Sequence, residues 1–129
     1  MATIYREFTV DTPVDQAWSA IRDFGAIHRR LAVGFVTDTQ LEGTIRTVTF
    51  SNGFVVKEQL ISVDDTLRRL VYTSIGGRAS HHNAFFQVFP DGTGKSRILW
   101  VTDLLPDEVA VPVGQMVDAG IEAIKRTLK

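Results

Sequence analysis

Four residues in the middle of the chain, Arg46, Glu58, Tyr72 and His82, bring together a guanidinium, a carboxylate, a phenol and an imidazole. Such a set can orient a polar ligand, or serve as general acid and base in enolisation, aldol cyclisation or dehydration. Their neighbours two residues away are mostly apolar. Arg46 shares a face with Val48 and Phe50, Glu58 with Phe54, Val56 and Leu60, Tyr72 with Leu70 and Ser74, and His82 with Ala84, Phe86 and Val88. A carboxylate on an apolar face needs a cation or hydrogen bonds, or must take up a proton, because burying it charged and alone is expensive. Arg46 supplies the cation on one condition. If Ser51-Asn52-Gly53 forms a three-residue loop with Gly53 left-handed, Arg46 lies opposite Glu58. A two-residue Asn52-Gly53 turn shifts the pairing by one and sends the charges to opposite faces. The plain structural reading stands beside the chemical one: an ion pair inside a sheet, with a tyrosine and a histidine satisfied by core neighbours.

These residues need strands to aim them. Thr3 to Val10 alternates as a first strand, and Asp11 or Thr12 is positioned to cap a helix that starts with Pro13. Val14, Ala17, Trp18, Ile21 and Phe24 recur at helical spacing up to Gly25. Ala26 to Ala32 is a shorter helical piece with His28, Arg29 and Arg30 on its basic edge, and 26–39 is a candidate lid. Period-two segments follow at Leu41 to Phe50, Phe54 to Val63, Arg68 to Ile75, His81 to Phe89 and Ser96 to Asp103, separated by turn residues. They form an antiparallel meander. After Pro106, a stripe of Val113, Val117, Ile121, Ile124 and Leu128 marks a long terminal helix, with Pro112 early in it.

Further candidates join the first four. Trp100 shares a face with Ile98 and Thr102 and offers a flat stacking wall, while Met116 and Gly120 sit on the long helix. The expected binding surface is therefore Arg46, Val48, Val56, Glu58, Leu60, Tyr72, His82, Phe86, Trp100, Met116 and Gly120. Catalytic candidates are Glu58, Tyr72 and His82. No metal is expected, since His81 and His82 point to opposite faces and His28 is remote. The absence of a Walker loop, dinucleotide fingerprint or Ser-His-Asp arrangement gives no reason to expect a cofactor.

The chain has 129 residues, 44% hydrophobic and 22% charged, with a formal net charge of −1 and no cysteine. The length suits one domain, 1–129, and the lack of cysteine removes disulfides and thiol chemistry. The charge balance gives no reason to expect nucleic acid or an anionic membrane, and no segment is apolar for long enough to span a bilayer. The interleaved start, Met1 to Val10, does not read as a signal peptide, so a cytoplasmic location is expected.

The element order resembles the START-like (SRPBCC) helix-grip superfamily, in its polyketide cyclase/dehydrase and pollen-allergen-like branch. Thr12-Pro13-Val14-Asp15-Gln16-Ala17-Trp18 is similar to that family's entry into the first helix, and Arg22-Asp23-Phe24 to its exit. Glu42-Gly43, Asn52-Gly53, Glu58, Leu60, Tyr72 and Trp100 fall where bacterial members place similar residues. The resemblance implies an α+β fold in which a curved antiparallel sheet of about seven strands wraps a long C-terminal helix. It also implies a cavity for a small hydrophobic or amphipathic ligand, such as a lipid, polyketide or aromatic compound. A cyclase or dehydratase using the same polar residues is the alternative. A third is an interaction module, because Phe85, Phe89, Leu99 and Val101 fall on the outer face of the last two strands and suggest a homodimer.

Overall fold

The computed structural model describes residues 2–129. A seven-stranded antiparallel sheet in the order β1-β7-β6-β5-β4-β3-β2 curves around the terminal helix. Its strands are β1 (Ala2–Val10), β2 (Val36–Glu42), β3 (Ile45–Phe50), β4 (Val55–Asp64), β5 (Arg69–Ile75), β6 (His81–Pro90) and β7 (Ser96–Leu105). Two short helices, α1 (Val14–Arg22) and α2 (Ile27–Arg30), connect β1 to β2 at opposite edges of the sheet. A 3-10 turn at Asp107–Val109 leads into α3 (Ala110–Thr127), with Pro112 in the first turn, where its missing N–H costs nothing.

The core forms where alternate strand residues meet the helical stripes. Ile4, Phe8, Leu70, Val88 and Ile98 from the sheet are buried with Val117, Ile121 and Ile124 of α3 and with Ala17, Trp18 and Ile21 of α1. Trp18 also donates its indole N–H to Asp65 at 3.0 Å, and Arg22 reaches the same carboxylate at 2.7 Å, which ties α1 to the β4–β5 turn. The stretch 26–39 is anchored too, since Ala26, Ile27, Leu31, Ala32 and Val36 are buried in it.

Three expectations need correction. Leu41 to Phe50 is not one strand: Gly43, at φ +64°, turns the chain so that Glu42 pairs with Ile45, and β2 runs back to Val36 as a mostly polar edge. Neither Asp11 nor Thr12 caps α1, which begins after Pro13 without a side-chain cap; the Thr12 carbonyl instead accepts the Ser96 hydroxyl at 2.6 Å. The outer-face patch is not a continuous exposed surface. Phe85, Phe89 and Leu99 are half-buried and Val101 is only 8% exposed. The guanidiniums of Arg69 and Arg97 lie 4.4 Å over the Phe85 and Phe89 rings, so long charged side chains cover the apolar ones. That face gives no support to a homodimer.

Candidate functional site

The β3–β4 hairpin sets the site. Gly53 at φ +90° closes a three-residue loop, with Phe50 N–H donating to the Phe54 carbonyl at 2.9 Å. Arg46 is thereby paired with Glu58, and the next strand places Ser74 opposite Glu58. His82 on β6 continues the series, because its Nδ1 accepts the Ser74 backbone N–H at 3.0 Å. Arg46, Glu58, Ser74 and His82 thus form one transverse polar row over four adjacent strands. Tyr72 and Trp100 lie to one side of it, with the Trp100 indole N–H donating to the Tyr72 hydroxyl at 3.1 Å.

Above this row, between sheet and α3, is a cavity of about 540 Å³, within the size range of small-molecule sites. Its wall is mostly apolar. Val48, Val56 and Phe86 line it from the sheet, Met116 and Gly120 from α3, and Trp100, Tyr72, Glu58, His82 and Arg46 complete the expected set. Leu60 does not line it. That residue is paired with Tyr72 on β5 and packs, partly buried, against the core. Phe86 stacks on Trp100 with ring centroids 4.5 Å apart, giving a flat aromatic wall. Gly120 is needed for the close approach of α3: a Cβ there would lie 3.3 Å from both the Trp100 and the Phe35 ring.

Sequence reasoning missed several wall residues. Phe35, Phe50 and Ser74 line the cavity, as do Ile27 of α2, Leu31 just after it, and the exposed Lys57 and Arg78. Ser74 and Phe50 shared a face with named candidates and were within reach of the alternation. Lys57 falls on the opposite parity from Glu58, and Arg78 lies in a turn, so periodicity gave no signal for either.

The polar atoms divide into satisfied and open ones. Both Nε and Nη2 of Arg46 bind the same oxygen, Oε1 of Glu58, at 2.8 Å, and Nη1 reaches the Phe24 carbonyl at 3.3 Å. The guanidinium also lies 3.8 Å over the Phe24 ring. Arg46 is 4% exposed and the Glu58 side chain 13%, so this is a buried pair with compensating hydrogen bonds. Oε2 of Glu58 has no partner among the described residues. The Tyr72 hydroxyl accepts from Trp100, and its own proton meets no acceptor. Burial, reinforced by the Glu58 charge, pushes the Tyr72 phenol well above its usual range, so it remains a donor. For His82, burial holds the imidazole below its ordinary range against the opposing pull of Glu58. With Nδ1 engaged by Ser74, the neutral ring carries its proton on Nε2. The site therefore offers two donors, Tyr72 Oη–H and His82 Nε2–H, and one open carboxylate oxygen, inside an otherwise greasy enclosure. Among the described residues no cluster of three His, Asp or Glu side chains could hold a metal.

This sheet curled on a terminal helix, with a cavity between them, is the helix-grip fold of START-like proteins. The chain belongs to the polyketide cyclase / dehydrase and lipid transport family, whose model matches residues 1–129. No curated protein matches the chain as a sequence relative. Among solved structures, an uncharacterized protein from Bacillus thuringiensis is similar at a TM-score of 0.86 and 18% identity, with 98% of each chain covered. A protein from Thermobifida fusca is similar at 0.79 and 25% identity, covering 99% of this chain and 91% of that one. Norcoclaurine synthase from Thalictrum flavum, in complex with dopamine and hydroxybenzaldehyde, is similar at 0.73 and 23% identity, covering 97% and 84%.

Proposed function

We propose that this protein binds a small hydrophobic or amphipathic molecule in the cavity between its sheet and α3. The observation that carries this reading is an apolar enclosure of about 540 Å³ whose floor keeps a donor proton on Tyr72 and an acceptor oxygen on Glu58 without partners among the described residues. Desolvating the ligand's apolar surface drives binding, at about 25 cal/mol per Å² before the costs of association. The polar row then fixes orientation, because a buried donor or acceptor left unmade is costly. The family description, which joins cyclase and lipid-transport members, agrees with this reading.

The second reading is an enzyme of the cyclase or dehydratase kind, favoured by the same open atoms. Glu58 Oε2 is the base with a free lone pair, whereas His82 Nδ1 would have to give up Ser74 to accept a proton. Tyr72 and His82 would then donate to a developing oxyanion.

The test uses the neutral fluorophore N-phenyl-1-naphthylamine, alongside native mass spectrometry of the purified protein for any copurifying molecule. The dye is expected to bind, and Met116→Trp, which fills the cavity from α3, to weaken it by about tenfold with the melting temperature retained. Binding indifferent to Met116→Trp overturns the cavity reading. Glu58→Gln separates the two functions: a binder changes affinity a few-fold, whereas an enzyme loses turnover at nearly unchanged affinity.

A further inference from the structure

One buried polar group of the cavity wall makes no bond to the protein. Thr102 on β7 is only 3% exposed, and its hydroxyl has no partner among the described residues. Unlike the Thr39 hydroxyl, which is sealed in, it is not cut off from open space, and the space that Thr102 lines is the cavity. Buried hydroxyls ordinarily find a partner, so one left open on a cavity is available to a ligand. Register sets this hydroxyl beside the polar row already described. Thr102 pairs with Ala84 and Ala84 with Tyr72, so all three share the inner face, and only the methyl group of Ala84 stands on the line between the other two. In the next row Glu58 faces Ser74, whose N–H binds His82. Glu58, Ser74, His82, Tyr72 and Thr102 therefore make one contiguous polar patch across β4 to β7. The Ser74 hydroxyl has no partner among the described residues either.

The patch offers several hydrogen-bonding atoms and no net charge. Arg46 neutralises Glu58 through two bonds of 2.8 Å, burial keeps His82 neutral, and the Tyr72 phenol holds its proton. The other two charged residues of the lining are exposed, Lys57 on the opposite strand parity and Arg78 in the β5–β6 connection. A ligand acid brought to the patch would meet the open oxygen of Glu58, and a ligand ammonium would add a second cation where Arg46 already supplies one. Either is costly in a dry setting. A hydroxyl or a carbonyl is accommodated there, because Tyr72 and His82 donate, Glu58 Oε2 accepts, and the Ser74 and Thr102 hydroxyls do either.

We propose that the cavity selects uncharged amphiphiles whose head carries two neighbouring oxygens, at least one of them a hydroxyl, with the head on this patch and the apolar body between the Phe86–Trp100 wall and α3. Glu58 Oε2 accepts the hydrogen bond of the hydroxyl, Tyr72 donates to a ligand oxygen, and Thr102 is the specificity-determining residue that holds the second oxygen. This rests on the ligand-binding reading above and adds the chemical class of the head group.

The experiment displaces N-phenyl-1-naphthylamine with four ligands of equal chain length, decane-1,2-diol, decan-1-ol, decanoate and decylammonium, at neutral pH and below their micelle-forming concentrations. The diol is expected to bind about tenfold more tightly than the alcohol, one further buried hydrogen bond being made, and both ions more weakly than the alcohol. Thr102→Val, close in shape, is expected to erase most of the ratio between diol and alcohol affinities, and Thr102→Ser to keep it. A general loss of the cavity lowers both affinities together, so it does not mimic that result. Because the hydroxyl bonds nothing in the protein, Thr102→Val also keeps the melting temperature; a fall of several degrees shows the hydroxyl engaged within the fold and overturns its assignment to the ligand. Equal affinity for diol and alcohol in the wild type overturns the head-group class and leaves the cavity reading intact, as does decanoate or decylammonium as the tightest ligand. A ratio unchanged in Thr102→Val places the second oxygen elsewhere and overturns the role of Thr102. Failure of the dye to enter the wild type defeats the proposal and the binding reading together.

Discussion

Arg46 and Glu58 face each other across β3 and β4, with two bonds of 2.8 Å to one carboxylate oxygen, because three residues and not two close the hairpin between them. The same arrangement anchors Arg46 to the Phe24 carbonyl at the exit from α1. The pair therefore holds the floor of the cavity to the α1–α2 connection, and its removal is felt in the fold as well as in the site.

Removing one partner alone leaves the other charge buried among apolar walls. Arg46→Met is expected to lower the unfolding free energy by about 3 kcal/mol or more, whereas Arg46→Met combined with Glu58→Leu recovers most of the loss. Urea denaturation of the four proteins in this cycle measures the difference. A single variant as stable as the wild type contradicts the assignment of a tightly held buried pair.

Stability should fall on mild acidification through His82. Its folded-state pKa is depressed by burial, with Glu58 opposing and His81 adding a smaller downward push. At pH above about 6.5, the ordinary imidazole value, both folded and unfolded states are neutral and the contribution is fully present. As pH falls through that value the unfolded chain takes up the proton first, and stability is lost until the folded imidazole also titrates, with a slope of at most about 1.4 kcal/mol per pH unit. His82→Asn keeps an acceptor for the Ser74 N–H and removes this part of the slope between about pH 7 and pH 5. Denaturation midpoints that fall equally steeply in the variant assign the effect to other groups.

Tyr72→Phe leaves the Trp100 indole N–H without its acceptor in a half-buried position. The expected cost is about 1 to 3 kcal/mol, with a change in near-ultraviolet dichroism as the indole reorients. A melting temperature and spectrum identical to the wild type exclude a structural role for the bond, and only a ligand-facing role for the phenol then remains.

The fold was legible because its signals are local and repeated. Alternation in β4 to β7, Asn-Gly at the hairpin and the 3.6-residue stripe of α3 each point to one architecture, and they agree. The β2 strand escaped because Val-Thr-Asp-Thr-Gln-Leu-Glu at a sheet edge buries only Val36 and Thr39, too little apolar surface to mark alternation. The Arg46–Glu58 pairing depended on how the Gly53 loop would close, which sequence left as two alternatives and three-dimensional pairing decides. The convex patch misled because periodicity counts which residues face outward and says nothing of neighbours folding over them, as Arg69 and Arg97 do. Leu60 shares a face with Glu58 yet packs against the core instead of lining the cavity, a distinction that alternation does not carry.

The Ser51-Asn52-Gly53 corner also makes chain length at this point a one-way variable. Residues inserted at the exposed Asn52 loop into solvent and let the flanking strands keep their pairing, at the cost of the bond that the Asn52 side chain accepts from the Phe54 N–H. Taking one residue out is a different event: the ribbon must slide by half a pleat, and a salt link is exchanged for two stranded ions. Grafts and insertions therefore belong at this tip, and deletions do not.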